Sequence, residues 1–143
     1  MAGTVVVGSG TPGVYTLRDA AERAFWDAAR PLRAGQPFRS IGRAVWRSVR
    51  SSGFRVISAL TGHAIGRRIH EEPSIPNFDD GNDALIPSGQ VLTIEPMITK
   101  GWGEVYELAV GWTVATVDGA PAAHYEHTVV VWDDRIEVLT AGD

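Results

Sequence analysis

The sequence predicts an α+β domain in which two helices precede a mostly antiparallel sheet. Three observations carry that expectation. Apolar residues recur at three- and four-residue spacing up to Gly53, they alternate or form short β-branched runs after it, and no linker, repeat or low-complexity stretch divides residues 1–143. With 143 residues, 44% of them apolar and 21% charged, the chain can bury one core and is too apolar for general disorder, so a single domain over 1–143 is expected.

In chain order, Thr4 to Val7 is a β-branched run ended by Gly8-Ser9-Gly10-Thr11-Pro12-Gly13, a strand and then a loop. From Leu17 the spacing of Ala20, Ala21, Ala24, Phe25 and Ala28 predicts a helix of about four turns, with Thr16 and Asp19 as a cap and Arg30-Pro31 as its stop. A second helix follows Pro37, with Phe38, Ile41, Val45 and Val49 on one face, Trp46 at its edge and Gly53 as the C-terminal stop. Strands are expected at 54–57, 91–95, 104–108, 112–117, 128–132 and 136–139, the last two joined as a hairpin through Asp133-Asp134. Residues 71–89, rich in Pro, Asn, Asp and Gly and without a period, read as an ordered loop.

Composition excludes several functions. Without cysteine there are no disulfides, no thiolate metal sites and no sulfur nucleophile. The absence of a long apolar run and of a basic leader predicts no membrane association and a cytoplasmic location. Charge is unevenly spread: residues 1–68 carry 11 Arg against 3 acids, net +8, and residues 69–143 carry 2 basic residues against 14 acids, net −12. The stripe Arg43, Arg47, Arg50 reads as the solvated face of an amphipathic helix rather than a nucleic-acid surface. The acidic half, with His63, His70, His124 and His127 in or beside it, offers nitrogen and oxygen ligands of the kind that hold divalent cations.

Three segments place polar groups where structure alone would not require them: Thr61 to Pro73, Thr93 to Met97, and His124 to Thr128. Glycines flank His63 and would let its imidazole be aimed into a cleft. Glu95 ends the apolar run Val91-Leu92-Thr93-Ile94, and Glu126 opens a strongly apolar strand. An ionised carboxylate at the end of a buried strand is costly unless paired or metal-bound, so two such carboxylates and a histidine are most simply explained together.

The motifs Leu60-Thr61-Gly62-His63-Ala64-Ile65-Gly66, Ile69-His70-Glu71-Glu72-Pro73, Ile75-Pro76-Asn77-Phe78, Leu92-Thr93-Ile94-Glu95-Pro96-Met97, Gly111-Trp112-Thr113-Val114 and Tyr125-Glu126-His127-Thr128-Val129 resemble, in order, the C-terminal half of the type I methionine aminopeptidases. That resemblance implies one half of a pita-bread fold and a centre that takes two divalent ions (Co, Mn, Fe or Zn) when complete. It implies that His63, Glu95 and Glu126 are metal ligands, with Glu126 bridging and Glu95 also shuttling a proton. His70 would contact substrate and the tetrahedral intermediate, and Trp112 and Ile69 would lie at the methionine side-chain pocket. The expected substrate is the N-terminus of a peptide or nascent chain, from which methionine is removed.

The sequence also departs from the family pattern. The two aspartate ligands that the family places before its Val-Gly strand end would fall ahead of Met1. Val110 stands where Asp is usual, Ile69 replaces a bulkier residue, and His124 replaces Gln. His124 is on the same side of its strand as Glu126 and is expected to give a hydrogen bond rather than a ligand. Three arrangements follow. The chain is a piece of an ordinary aminopeptidase; or two copies form a homodimer whose site pools the carboxylates of both; or the chain is an inactive half that binds a peptide, a protein or RNA through its basic helices.

Overall fold

In the computed structural model, which describes residues 1–142, two helices cover one face of a curled antiparallel sheet. Helix α1 spans Pro12–Ala29 and α2 spans Arg39–Ser51. The first begins five residues before the expected Leu17, because Pro12 suits the opening turn, where its missing N–H costs nothing. Thr16 and Asp19 therefore lie inside the helix: the Thr16 hydroxyl donates to the Pro12 carbonyl (2.9 Å) and Asp19 pairs with Arg18. Helix α2 stops as predicted at Gly53, whose φ of +79° is the left-handed conformation glycine adopts without strain.

The strands are β1 (Ala2–Gly3), β2 (Arg55–Val56), β3 (Thr61–Ala64), β4 (Glu71–Pro76), β5 (Gln90–Ile94), β6 (Met97–Thr99), β7 (Val105–Glu107), β8 (Val114–Thr116), β9 (Ala122–Val131) and β10 (Ile136–Val138). The main sheet runs β2-β6-β9-β5-β3-β4, with β1 and β10 also paired to β9, while β7 and β8 form a separate ribbon. Every pairing is antiparallel.

Three expectations need correction. The strand foreseen at Thr4–Val7 does not form; the pairing there is made by the preceding Ala2–Gly3, and Val5 and Val7 are exposed. The segment 71–89 is not all loop, because Glu71–Pro76 pairs with β3 through backbone groups that a periodicity of side chains does not register. Glu126 does not open a strand: it lies in the middle of the ten-residue β9, which the expected strand at 128–132 covers only at its end.

One buried cluster joins both helices to the sheet. Phe25, Leu17 and Leu32 from the α1 region and Ile41, Val45 and Val49 from α2 meet Leu92, Ile94, Ile98, Val129 and Val131. The helices approach closely where Ser48 donates to the Asp27 carboxylate (2.6 Å). At Gly42 a Cβ would lie 2.6 Å from the Pro76 carbonyl oxygen, so α2 rests directly on backbone there.

Candidate metal centre

Strand alternation decides what faces what. Along β9, Tyr125 and His127 pack on Phe25 with ring centroids 5.5 and 5.2 Å away, and Val129 and Val131 join the same core. His124 and Glu126 therefore point to the other side of the sheet. In β5, Leu92 and Ile94 belong to the core, so Thr93 and Glu95 also alternate to the far side.

Strands β5 and β6 share one register against β9 across the break at Glu95-Pro96: Ile94 faces His127 before it and Met97 faces His124 after it. Continued through the break, that register sets Glu95 opposite Glu126. Two like charges directly across a strand pair repel unless a cation or a proton lies between them. Ligand atoms of Glu95, His124 and Glu126 all come within 4.8 Å of one another.

Glu95 is only 9% exposed and is gripped from several directions. Its Oε1 accepts from the Thr93 hydroxyl (2.7 Å) and lies 3.5 Å from His63 Nε2, while its Oε2 lies 3.6 Å from His124 Nε2. Burial pushes the Glu95 carboxyl up, but the contacts from His124 and Thr93 and the charges of His124 and His63 together outweigh burial and hold it below the ordinary carboxylate value. Its backbone is fixed too, since the buried Asn77 amide donates to the Glu95 carbonyl (3.0 Å). Glu126 Oε1 lies 3.5 Å from the Met1 ammonium.

His63 is placed by β3. Its N–H donates to Thr93 Oγ1 (3.0 Å), and Gly62 beside it is required because a Cβ would lie 2.7 Å from the Thr93 carbonyl oxygen. The glycine thus serves close approach of β3 to β5, rather than the conformational freedom anticipated from sequence. The His70 ring stands edge-on to that of His63, with centroids 4.3 Å apart. A cavity of about 570 Å³ opens beside them, lined by His63, His70, Glu95, Arg68, Glu71 and Ser74 among others.

Of the residues expected at the site, His63, His70 and Glu95 meet at this cavity and Glu126 stands across from Glu95. Ile69 and Trp112 do not line it; Trp112 is 84% exposed in the connection between β7 and β8. The sequence reading missed the supporting roles of Thr93 and Asn77. Thr93 had a visible signal, a hydroxyl inside an apolar strand two residues before Glu95, whereas Asn77 had none. His124 also departs from expectation: its Nε2 is buried and has no hydrogen-bond partner. On α2 the arginine stripe is exposed and locally engaged, Arg43 Nε lying 3.6 Å from Asp79 and the Arg50 guanidinium 5.2 Å from the Trp46 ring.

A family model described as metallopeptidase family M24 matches residues 1–133. The chain belongs to that family. Among M24 relatives, it is 41% identical over 137 residues to methionine aminopeptidase 2 of Bacillus subtilis (strain 168), covering 94% of this chain and 55% of the relative. To the methionine aminopeptidase of Escherichia coli (strain K12) it is 37% identical over 136 residues, covering 94% of this chain and 52% of the relative. The crystal structure of methionine aminopeptidase from Thermotoga maritima superposes with a TM-score of 0.94 at 33% identity, over 98% of this chain and 57% of that one. The chain spans about half the length of the curated relatives it matches.

The M24 fold is the expected pita-bread arrangement, present here as two helices on a curled antiparallel sheet. Family membership implies divalent metal ions, and the donor set fits them: a buried carboxylate between two imidazoles, with a second carboxylate across the strand. The two imidazoles approach different Glu95 oxygens, His63 Nε2 at 3.5 Å from Oε1 and His124 Nε2 at 3.6 Å from Oε2, so nitrogen and oxygen donors face one another on both sides of the carboxylate. Among the described residues no helix is long and apolar enough to cross a membrane.

Proposed function

We propose that this chain supplies one half of the centre of a metal-dependent aminopeptidase that removes methionine from peptide N-termini. The observation that carries the reading is Glu95, a buried carboxylate set between His63 and His124 and opposite Glu126. In this reading His63, Glu95 and Glu126 hold the divalent ions, two in the completed site, drawn from Co, Mn, Fe or Zn. The chemistry such ions supply there is a water of lowered pKa and polarisation of the scissile carbonyl.

The protein groups do the rest. Glu95, kept ionised by its neighbours, accepts a proton from the attacking water, and the Thr93 hydroxyl fixes which Glu95 oxygen is engaged. His70, at the cavity wall beside His63, donates to the substrate oxygen as negative charge develops on it. For Ile69 and Trp112, which lie outside the cavity, a contact with the methionine side chain is supported only by the resemblance of their motifs.

A second copy of the chain is proposed to complete the ligand set, each copy offering Glu95 and Glu126 to a pooled site. Exposed Val5, Val7 and Val110 are apolar surface available for such an interface. The reading is tested by incubating the chain with Co²⁺ or Mn²⁺ and a peptide that begins with methionine, and measuring free methionine by mass spectrometry. Release that requires metal and disappears in Glu95→Gln is expected, with a solution mass twice the 15.4 kDa of one chain. No release at saturating metal would overturn activity for this chain, and a single-chain mass at high concentration would overturn the pooled site.

A further inference from the structure

His124 is the unexplained polar group of this face. Its backbone is clasped by Thr4: the His124 N–H donates to Thr4 Oγ1 (2.8 Å) and the Thr4 hydroxyl donates to the His124 carbonyl (3.0 Å). Its backbone is thereby fixed and its side chain is partly exposed, while Nε2 itself is buried without a hydrogen bond: Glu95 Oε2, at 3.6 Å, is an ion-pair contact beyond hydrogen-bond range. A buried imidazole nitrogen without a hydrogen bond carries a desolvation cost that a bound cation would offset. Glu126 lies two residues on, on the same side of β9, and Glu95 faces it across the strand pair, so three donor atoms converge from two elements.

We propose that His124 is itself a metal ligand, joining Glu95 and Glu126 at a divalent cation and so adding a second nitrogen donor to the set that His63, Glu95 and Glu126 provide. The inference rests on the metal reading above and adds to it a ligand and a preference. A nitrogen donor in place of a further oxygen favours borderline cations such as Zn²⁺ over hard ones such as Mn²⁺. Exchange of that nitrogen for an amide oxygen weakens the first more than the second.

The test is calorimetric titration of the metal-free 143-residue chain with Zn²⁺ and with Mn²⁺, for the wild type, His124→Gln and Glu126→Gln. The expected result is a loss of at least tenfold in Zn²⁺ affinity in His124→Gln, a smaller loss for Mn²⁺, and a Zn²⁺/Mn²⁺ preference that falls accordingly. Unchanged Zn²⁺ affinity and preference in His124→Gln, with Glu126→Gln still weakened, would overturn the role of His124 and leave the metal site standing. A wild type that binds neither ion would overturn both. Should His124→Gln fail to fold by circular dichroism, pulsed EPR of the Cu²⁺-loaded double variant His63→Ala, His70→Ala decides: a coordinated imidazole nitrogen supports His124, and its absence overturns it.

Discussion

His124 and His127 lie three residues apart on β9 and show how differently the two sides of one sheet treat the same side chain. On the helix side, His127 has both ring nitrogens engaged, by the Tyr125 hydroxyl (3.0 Å) and the Thr140 hydroxyl (2.9 Å), and packs against Phe25 and Trp26. Burial, with the nearby N-terminal ammonium, pushes its imidazole below the ordinary value. On the other side, His124 has a buried nitrogen with no hydrogen-bond partner, 3.6 Å from Glu95 Oε2, and a second carboxylate within reach. A histidine whose neighbours satisfy it is structural; one held in place with a nitrogen unspent is available for a ligand. The wider contrast is the same: a closed apolar core under the helices, and a cluster of carboxylates and imidazoles on the other side of the sheet.

The comparison can be broken first on the helix side. Phe25, fully buried and in contact with Trp26, Tyr125 and His127, should cost about 3–5 kcal/mol as Phe25→Ala in urea unfolding. A loss under about 1 kcal/mol would mean that the core does not depend on α1. Gly42→Ala should cost about 1–3 kcal/mol, because the new methyl would press on the backbone carbonyls of Pro76 and Phe78. Equal stability would show that α2 can lift off β4 freely.

The site side should respond in the opposite manner. Glu126→Gln should weaken divalent-metal binding by at least tenfold in calorimetry while changing metal-free stability by under about 1 kcal/mol, since its one ion pair is partly solvated. A large loss of stability with metal binding intact would erase the distinction between the two sides.

The loop at the foot of the β7–β8 ribbon gives a smaller, pH-dependent effect. The backbone N–H groups of Ala120 and Trp102 donate to the Asp118 carboxylate (3.0 and 2.8 Å) and hold its pKa below the ordinary value. Since the folded pKa is lower than the unfolded one, the contribution of Asp118 is fully present above the ordinary carboxylate range and is lost as pH falls through the folded value. Thermal midpoints of wild type and Asp118→Asn should thus differ near neutrality and converge in acid; a constant gap would contradict the assignment. The smallest effect belongs to Trp112→Ala, which should stay within about 0.5 kcal/mol in thermal unfolding because the ring is almost wholly exposed.

Both helices were legible because apolar side chains at helical spacing record a buried face directly, and β5, β10 and the C-terminal end of β9 were legible from their β-branched runs. Strands β3 and β4 were not, since Gly62, Glu71, Pro73 and Pro76 carry little side-chain signal and the pairing is made by backbone. His63, His70, Glu95 and Glu126 could be picked out from local motif and from carboxylates placed in apolar company. Their mutual geometry could not, because 63, 95 and 126 are brought together only by strand pairing.

By itself, then, the sequence determined the α+β class, the two helices and the identity of the candidate ligands, all of which depend on residue type and short-range spacing. Tertiary structure alone decided that Glu95 stands opposite Glu126, that Gly62 is a close-approach residue, and that the two histidines of β9 have different fates. Those outcomes depend on register and on which side of a strand a neighbour packs, and a shift of a single residue would reverse every one of them.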